Sequence, residues 1–173
     1  MLSAAEYSSP ETLRNGRRVE IRALRPDDRD GMMAAVDRTS VQSLYRRFFG
    51  AKRYFTDQEK SFFLNIDFVN HVALVAVLEE SGQPVIAGGG RYIVSKPGQA
   101  EVAFAVVDQY QGQGIGAALM RHLVGLAREA GLHELIAEVL PENAAMMRVF
   151  ETSGLQFTKK REPRTVHFVL HLG

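Results

Sequence analysis

The sequence predicts an α/β fold, in which a mixed and mostly antiparallel sheet of about seven strands packs against four to five helices. Three short apolar segments in residues 72–107 are joined by tight turns, as in an antiparallel meander. Residues 101–139 then read as strand, glycine-rich turn, amphipathic helix and strand, which requires a right-handed crossover to a parallel strand. The chain of 173 residues is 46% hydrophobic and 24% charged, which is ordinary for one globular domain.

The first half of the chain is predicted to contain one strand followed by helices. Residues 1–16 are polar and are expected to form a flexible tail, so that a single domain covers residues 17–173. Apolar residues alternate with polar ones in residues 17–24, which predicts the first strand. Thr56 and Glu59 form a capping-box pattern. The expected helices are residues 30–39, residues 41–48 and residues 60–66.

The second half is predicted to contain six strands and two helices. A run of three glycines at residues 88–90 predicts a bend or bulge in the second of these strands. Gly131 follows the last apolar residue of the first helix, which is the usual position of a C′ glycine. The expected strands are residues 72–78, 85–94, 101–107, 134–139, 155–159 and 165–172. The expected helices are one that follows the glycine-rich turn and ends at Gly131, and residues 143–152.

Composition and charge exclude several classes of function. The formal net charge is +1, which gives no reason to expect nucleic acid or a membrane surface as partner. The sequence has no cysteine, so it offers no disulfide, thiolate nucleophile or Cys-ligated metal. No stretch approaches the roughly 20 apolar residues of a membrane span, and the first ten residues do not form a signal peptide. A cytoplasmic protein is expected, with a homodimer as one open alternative for the oligomeric state.

The glycine-rich turn is the most informative segment. Gly112, Gly114 and Gly116 alternate between the predicted strand and the helix that follows. Backbone N–H groups at such a helix N-terminus converge on one point, and the helix dipole favours an anion there. A ligand that carries phosphate groups is therefore expected.

Two motifs, which follow each other along the chain, resemble the two signatures of one enzyme family. Gln111-x-x-Gly114-x-Gly116 resembles the pyrophosphate loop of the GNAT N-acetyltransferases, and residues 143–157 resemble the second signature of that family. The resemblance covers roughly residues 18–172 and implies the GNAT fold, with a parallel pair of strands splayed at an acetyl-CoA cleft. It further implies that the cosubstrate is bound by a set of backbone and side-chain groups: Phe104, Ala105, Val106, Gln111, Gly112, Gln113, Gly114, Ile115, Gly116, Ala117, Asn143 and Phe150.

Glu101 is the candidate general base. A lysine-like ammonium has a pKa of about 10.4, so attack on a thioester requires a group that takes its proton. Glu101 begins the strand that leads to the loop, and an acid in an otherwise apolar strand is unusual. The protein lysine acetyltransferase branch of the family has a Glu in this role. The alternative is a solvent-facing strand end.

The resemblance also assigns roles within the reaction. A backbone N–H near Val106 is expected to stabilise the oxyanion. Asn143 is expected to contact the CoA arm, to cap the following helix, or both. Phe150 stands where many family members have a Tyr that is proposed to protonate the leaving thiolate, and Phe cannot donate that proton. Phe150 is instead expected to pack near the cosubstrate.

The acceptor is expected to be a primary amine. Residues 43–49 resemble a segment of bacterial protein lysine acetyltransferases of the Pat type, which favours a protein lysine over a small-molecule amine. A sensor that binds acyl-CoA without turnover remains an alternative. Gly112-x-Gly114-x-x-Ala117, with Glu138 about 20 residues on, also matches a dinucleotide fingerprint. No metal is expected, because His167 and His171 would be roughly 13 Å apart along one strand.

Overall fold

The computed structural model describes residues 4–37 and 66–173, which form one sheet with helices on both faces. In this part of the chain the sheet has eight strands in the order β1-β2-β3-β4-β5-β6-β8-β7. The strands are β1 Ser8–Thr12, β2 Arg18–Ala23, β3 His71–Glu80, β4 Gln83–Lys96, β5 Gln99–Val106, β6 Glu134–Val139, β7 Gln156–Arg161 and β8 Val166–His171. The α-helices described are α1 Arg29–Asp37, α2 Ile115–Glu129 and α3 Ala144–Glu151.

The strand β1 is absent from the sequence-based expectation, which has a flexible tail in residues 1–16. It pairs antiparallel with β2 along its whole length and forms one edge of the sheet. Its sequence, Ser-Ser-Pro-Glu-Thr, has no apolar alternation, and Pro10 is tolerated because edge strands can leave an N–H position unpaired. The local pattern is therefore uninformative, and only pairing with β2 makes this segment a strand.

The helices agree with the expectation where the structure describes them. The first helix, expected at residues 30–39, is α1. The α2 helix ends at Glu129 before Gly131, whose φ of +81° is that of a C′ glycine. The two further helices expected within residues 41–66 lie almost entirely outside the described residues.

The strands β3, β4 and β5 form the expected antiparallel meander. Between β3 and β4 the register shifts, so that Ala76 pairs with Gly88 while Val77 pairs with Ile86. Ala87 is thus the extra residue of a β-bulge. The bulge lies directly beside the glycine run, as the sequence predicts.

Gly90 allows β4 to lie directly beneath α2. A Cβ atom at this position would lie 2.5 Å from Cδ1 of Phe104 and 3.0 Å from Cδ1 of Leu123. Both neighbours are buried in the core. A side chain of any size at residue 90 would therefore displace the ring of Phe104 or the helix.

We expect Gly90→Ala to lower the free energy of unfolding by about 1–3 kcal/mol, the usual cost of overpacking a core. Gly125→Ala is the matched control, because a Cβ at Gly125 meets nothing within 4 Å. In a helix interior this control should raise stability by about 0.5–1 kcal/mol. Urea unfolding of both variants at constant m-value measures the difference, and an unchanged midpoint for Gly90→Ala would contradict the packing argument.

The β5 and β6 strands run parallel and separate after three residue pairs. The pairs are Gln99 with Glu134, Ala100 with Leu135, and Glu101 with Ile136. Beyond Glu101, β5 continues to Val106 with only β4 as a partner. This divergence opens a gap in the sheet, which agrees with the splayed parallel pair that the resemblance to the GNAT family implies.

The two faces of the sheet are covered by different helices. The α2 and α3 helices lie on the face that carries Phe104, and Phe150 of α3 packs between Phe104 and Phe168 at ring-centroid distances of 5.8 and 5.3 Å. The α1 helix lies on the opposite face, where Gly31 approaches Ile86 of β4. None of the helices in residues 4–37 and 66–173 has the length and apolar character of a membrane-spanning helix.

Candidate active site

The glycine-rich turn carries the backbone of β5 into the first turn of α2. Gly114 is the N-cap of α2 and has φ +96°, a left-handed conformation that strongly favours glycine. The first intrahelical hydrogen bond runs from the Ala118 N–H to the Gly114 carbonyl. The N–H groups of Ile115, Gly116 and Ala117 therefore precede the hydrogen-bonded ladder and point out of the helix end.

A cavity of about 200 Å³ lies at this helix end, between the loop and α3. Eight of the residues expected to bind the cosubstrate line it: Val106, Gln111, Gly112, Gly114, Ile115, Gly116, Ala117 and Asn143. Seven lining residues were not identified from the sequence: Arg14, Tyr110, Ala145, Met146, Arg148, Val149 and Thr152. The spacing of Ala145, Met146, Val149 and Thr152 along α3 is a helical signal that could have indicated this wall.

Four of the expected residues do not line the cavity. Phe104 and Phe150 are buried in the aromatic core beneath it. Gln113 accepts a hydrogen bond from Asn15 Nδ2 at 3.3 Å. Ala105 pairs with Gly89 of β4. Whether any of these residues contacts a bound cosubstrate stays a prediction.

The side chain of Gln111 holds the loop against the end of β5. Its Nε2 donates to the Val106 carbonyl oxygen at 3.1 Å and lies 3.4 Å from Asp108 Oδ1. This contact makes the shape of the loop dependent on the end of the strand. Gln111 therefore positions the backbone donors in addition to lining the cavity.

The backbone of Val106 faces the gap between β5 and β6. The N–H of the next residue, Val107, donates to the Ala87 carbonyl of β4 at 2.8 Å. Since backbone groups alternate sides along a strand, the N–H and carbonyl of Val106 point away from β4. The contact from Gln111 to the Val106 carbonyl agrees with this direction. By the same alternation Phe104 presents its backbone to the gap, and Ala105 does not.

Glu101 lies at the point where the two parallel strands separate. Its residue is buried, with 7% of its surface exposed, so it is not the solvent-facing strand end considered from the sequence. Because side chains alternate across a strand, Glu101 is on the face opposite Phe104. Arg91 of β4 occupies a diagonal position on that same face, since Ile93 pairs with Glu101. A buried carboxylate thus stands beside the gap that opens towards Val106.

Asn143 and Phe150 fix the position of α3 against this gap. Asn143 is the N-cap of α3, and its Oδ1 accepts from the Met146 N–H at 3.2 Å. This confirms the capping role that the sequence offers for Asn143. Phe150 is almost fully buried, so the ring packs α3 onto the sheet.

His71 is a buried histidine that the sequence did not single out. It lies at the start of β3 on the Glu101 face, and its Nε2 is 3.0 Å from Nη1 of Arg91. Arginine donates here, so Nε2 is the acceptor and the ring proton resides on Nδ1. Burial, together with the charge of Arg91, lowers the pKa of His71 to about 4. His71 is therefore neutral at neutral pH.

We expect this histidine to reduce stability in acid. An unfolded histidine binds a proton near pH 6.5, whereas folded His71 binds one only near pH 4. The unfolded state therefore holds more protons in this window, and the free energy of unfolding falls as pH drops from about 6.5 to about 4. His71→Gln keeps an acceptor for Arg91 and should flatten that slope in urea unfolding, whereas the exposed-site variant His171→Gln should retain it. Equal slopes for His71→Gln and wild type would contradict this account.

Glu138 does not support the dinucleotide alternative. Its carboxylate accepts from Thr165 Oγ1 at 2.7 Å and lies 2.6 Å from His167 Nδ1. It does not line the cavity beside the glycine loop. Glu138, Glu162 and His167 have ligand atoms within 4.8 Å of one another, an arrangement that the His167–His171 spacing did not reveal.

Comparisons with known proteins agree on one family. The profile described as Acetyltransferase (GNAT) domain matches residues 18–156. The protein named Acetyltransferase PA5475 from Pseudomonas aeruginosa is 33% identical over 93% of this chain and 86% of its own length. Acetyltransferase Pat from Mycolicibacterium smegmatis is 31% identical over 87% of this chain, which spans 45% of that relative.

A solved structure supports the same conclusion. The GNAT domain of PAT from S. lividans superposes with a TM-score of 0.82 at 31% identity, over 95% of this chain and 96% of that one. The fold and the glycine loop at a helix N-terminus therefore define an acetyltransferase. The chain belongs to the GNAT family and is an N-acetyltransferase of that family. Enzymes of this family use acetyl-CoA as the acetyl donor. Residues 43–49, which carry the Pat-type resemblance, lie outside the described residues.

Proposed function

We propose that this enzyme transfers the acetyl group of acetyl-CoA to a primary amine by direct attack, and that the amine is a protein lysine. The observation that carries the proposal is the divergence of β5 and β6 directly after Glu101. It provides a gap with a buried carboxylate at one end and a glycine loop at the other. A thioester in this gap would extend from the phosphate site along the backbone of β5.

The residues present fit a pyrophosphate-bearing cosubstrate. The N–H groups at the start of α2 supply donors for phosphate oxygens, and Arg14 and Arg148 are cationic residues of the cavity wall. The N–H of Val106 stabilises the negative charge that develops on the thioester oxygen. Glu101 takes a proton from the substrate ammonium, so that the neutral nitrogen can attack the carbonyl carbon. The tetrahedral intermediate then loses its second N–H proton to solvent as the C–S bond breaks. The thiolate of CoA departs and takes a proton from solvent, since Phe150 cannot supply one.

Two features support direct transfer to a lysine. The sequence has no cysteine, which removes the thiol that a covalent acetyl-enzyme would use most readily. The resemblance of residues 43–49 to Pat-type enzymes and the likeness to proteins named Pat favour a lysine acceptor. The proposal includes a cytoplasmic setting, no metal, and no nucleic-acid or membrane partner.

The test is release of free CoA thiol from acetyl-CoA in the presence of a panel of lysine-rich proteins and small amines. We expect release that depends on the protein acceptor, with acetyl-lysine identified by mass spectrometry. Release with small amines alone would overturn the lysine assignment. Tight acetyl-CoA binding without turnover on any acceptor would favour the sensor alternative. Binding of NADH in place of acetyl-CoA would contradict the proposal altogether.

A further inference from the structure

The glycine loop carries too little positive charge for the ligand that it is proposed to bind. Residues 111–117 contain no Lys, Arg or His. A helix N-terminus contributes the equivalent of roughly half a positive charge, whereas a pyrophosphate diester carries about two negative ones. Side chains from other parts of the chain can supply the remaining charge, and two cationic ones line the cavity, Arg148 of α3 and Arg14.

Arg14 occupies the position where that charge is needed. It belongs to the turn between β1 and β2, and it lines the cavity next to the loop. Its Nε would lie 3.7 Å from a Cβ atom built on Gly114. The guanidinium therefore lies close to Gly114, the residue that caps α2, and borders the same cavity as the first turn of that helix.

The turn that carries Arg14 is held to the loop by several contacts. Leu13 is buried, and its N–H donates to the Arg17 carbonyl at 2.8 Å. Asn15 Nδ2 donates to Gln113 Oε1 in the loop at 3.3 Å, and its Oδ1 accepts from the Arg17 N–H at 2.9 Å. The guanidinium of Arg17 lies 5.5 Å from the ring centroid of Tyr110. Asn15 and Arg17 therefore hold the turn against the loop and Tyr110.

The strand before the turn is anchored to the α2 helix. Glu11 Oε1 lies 2.7 Å from His122 Nε2 and 3.2 Å from Arg121 Nη2. Tyr7 completes the contact through a hydrogen bond between its hydroxyl and His122 Nδ1. Both ends of the β1 region are thus fixed relative to the helix whose N-terminus forms the phosphate site.

We infer that Arg14 is a cosubstrate-binding residue, which binds the pyrophosphate of CoA from outside the glycine loop. This inference rests on the proposed function. The planar guanidinium offers paired donors that match two phosphate oxygens, and it completes the charge that α2 supplies only in part. The β1–β2 hairpin is then part of the active site, which gives the edge strand a function.

The experiment compares Arg14→Gln and Arg14→Lys with wild type in calorimetric binding of CoA, dephospho-CoA and pantetheine. Arg18→Gln is the matched control, because Arg18 is exposed on β2, carries the same charge and does not line the cavity. We expect Arg14→Gln to raise the Kd of CoA about tenfold, as expected from the loss of a charged hydrogen bond. The Kd of dephospho-CoA should rise by the same factor. Pantetheine binding and the control should be unchanged, with Arg14→Lys intermediate.

Each other result overturns the inference in a defined way. A penalty restricted to CoA would assign Arg14 to the 3′-phosphate, because dephospho-CoA lacks only that group. An equal penalty with pantetheine would indicate a change in the fold. An unchanged Kd for CoA in Arg14→Gln would remove Arg14 from the site while leaving the proposed function intact. Failure of wild type to bind CoA would instead contradict the proposed function.

Discussion

Replacement of Glu101 by Gln should lower kcat by about 100-fold to 10,000-fold, the range expected when a general base is removed. Glu101 is buried at the point where β5 and β6 separate, and Gln fills the same volume without accepting a proton. The Kd of acetyl-CoA should stay within about twofold, because the phosphate site lies at the other end of β5. Stopped-flow measurement of thiol release, together with calorimetric binding, separates the two quantities.

The pH dependence gives a second signature of this role. Without a base the enzyme depends on amine that is already neutral, and a lysine amine has a pKa of about 10.4. The rate of the Glu101→Gln variant should therefore rise about tenfold per pH unit up to about pH 10. The rate of wild type should rise less steeply over the same range. Glu134→Gln is the control, since Glu134 lies on the adjacent strand β6 and accepts a hydrogen bond from the side chain of Gln99. A loss of affinity with unchanged kcat would place Glu101 in binding instead.

Replacement of Gly114 by Val should raise the Kd of acetyl-CoA about tenfold or more. A β-branched residue at φ +96° carries strain of about 1–3 kcal/mol, which the loop relieves by leaving the left-handed conformation. The N–H groups of Ile115 and Gly116 then turn away from the cavity. Because the transition state uses the same phosphate contacts, kcat/KM should fall by a similar factor.

A matched variant at the other end of α2 separates strain from binding. Gly131 has φ +81° and, like Gly114, would be strained by Val, but it lies at the C-terminal end of the helix. Gly131→Val should lower the Tm and leave the Kd of acetyl-CoA unchanged. If both variants bind acetyl-CoA as wild type does, the loop geometry is not what holds the phosphates.

Most of the central architecture was predictable, because it depends on local sequence patterns. Apolar segments of strand length with short turns predict the β3–β5 meander, and the glycine run predicts the bulge at Ala87. The helix that begins after Gly114 follows from its apolar stripe and the glycine at position 131. The seven loop residues expected to bind the cosubstrate follow from the same segment. All but Gln113 line one cavity, and binding of the cosubstrate there stays a prediction.

The errors and omissions concern residues whose position depends on distant partners. The sequence predicts that Phe150 packs near the cosubstrate. Its ring lies between Phe104 and Phe168 in the core, and its contact with the cosubstrate stays a prediction. The polar sequence of residues 8–12 predicts a tail, since only pairing with β2 gives this segment the regular structure of β1. His71 and Arg91 belong to no local motif, so the sequence does not indicate that they contact each other.

The sequence by itself determined that a strand ends in a glycine loop at a helix N-terminus and that an acid stands in that strand. Both are properties of adjacent residues, where the conformational freedom of glycine and the apolar pattern are local. The tertiary structure alone decided that β5 and β6 separate directly after Glu101, that the Val106 N–H faces the gap, and that Arg14 approaches Gly114. Those features depend on strand register and on the packing of segments about 100 residues apart, which no local pattern specifies.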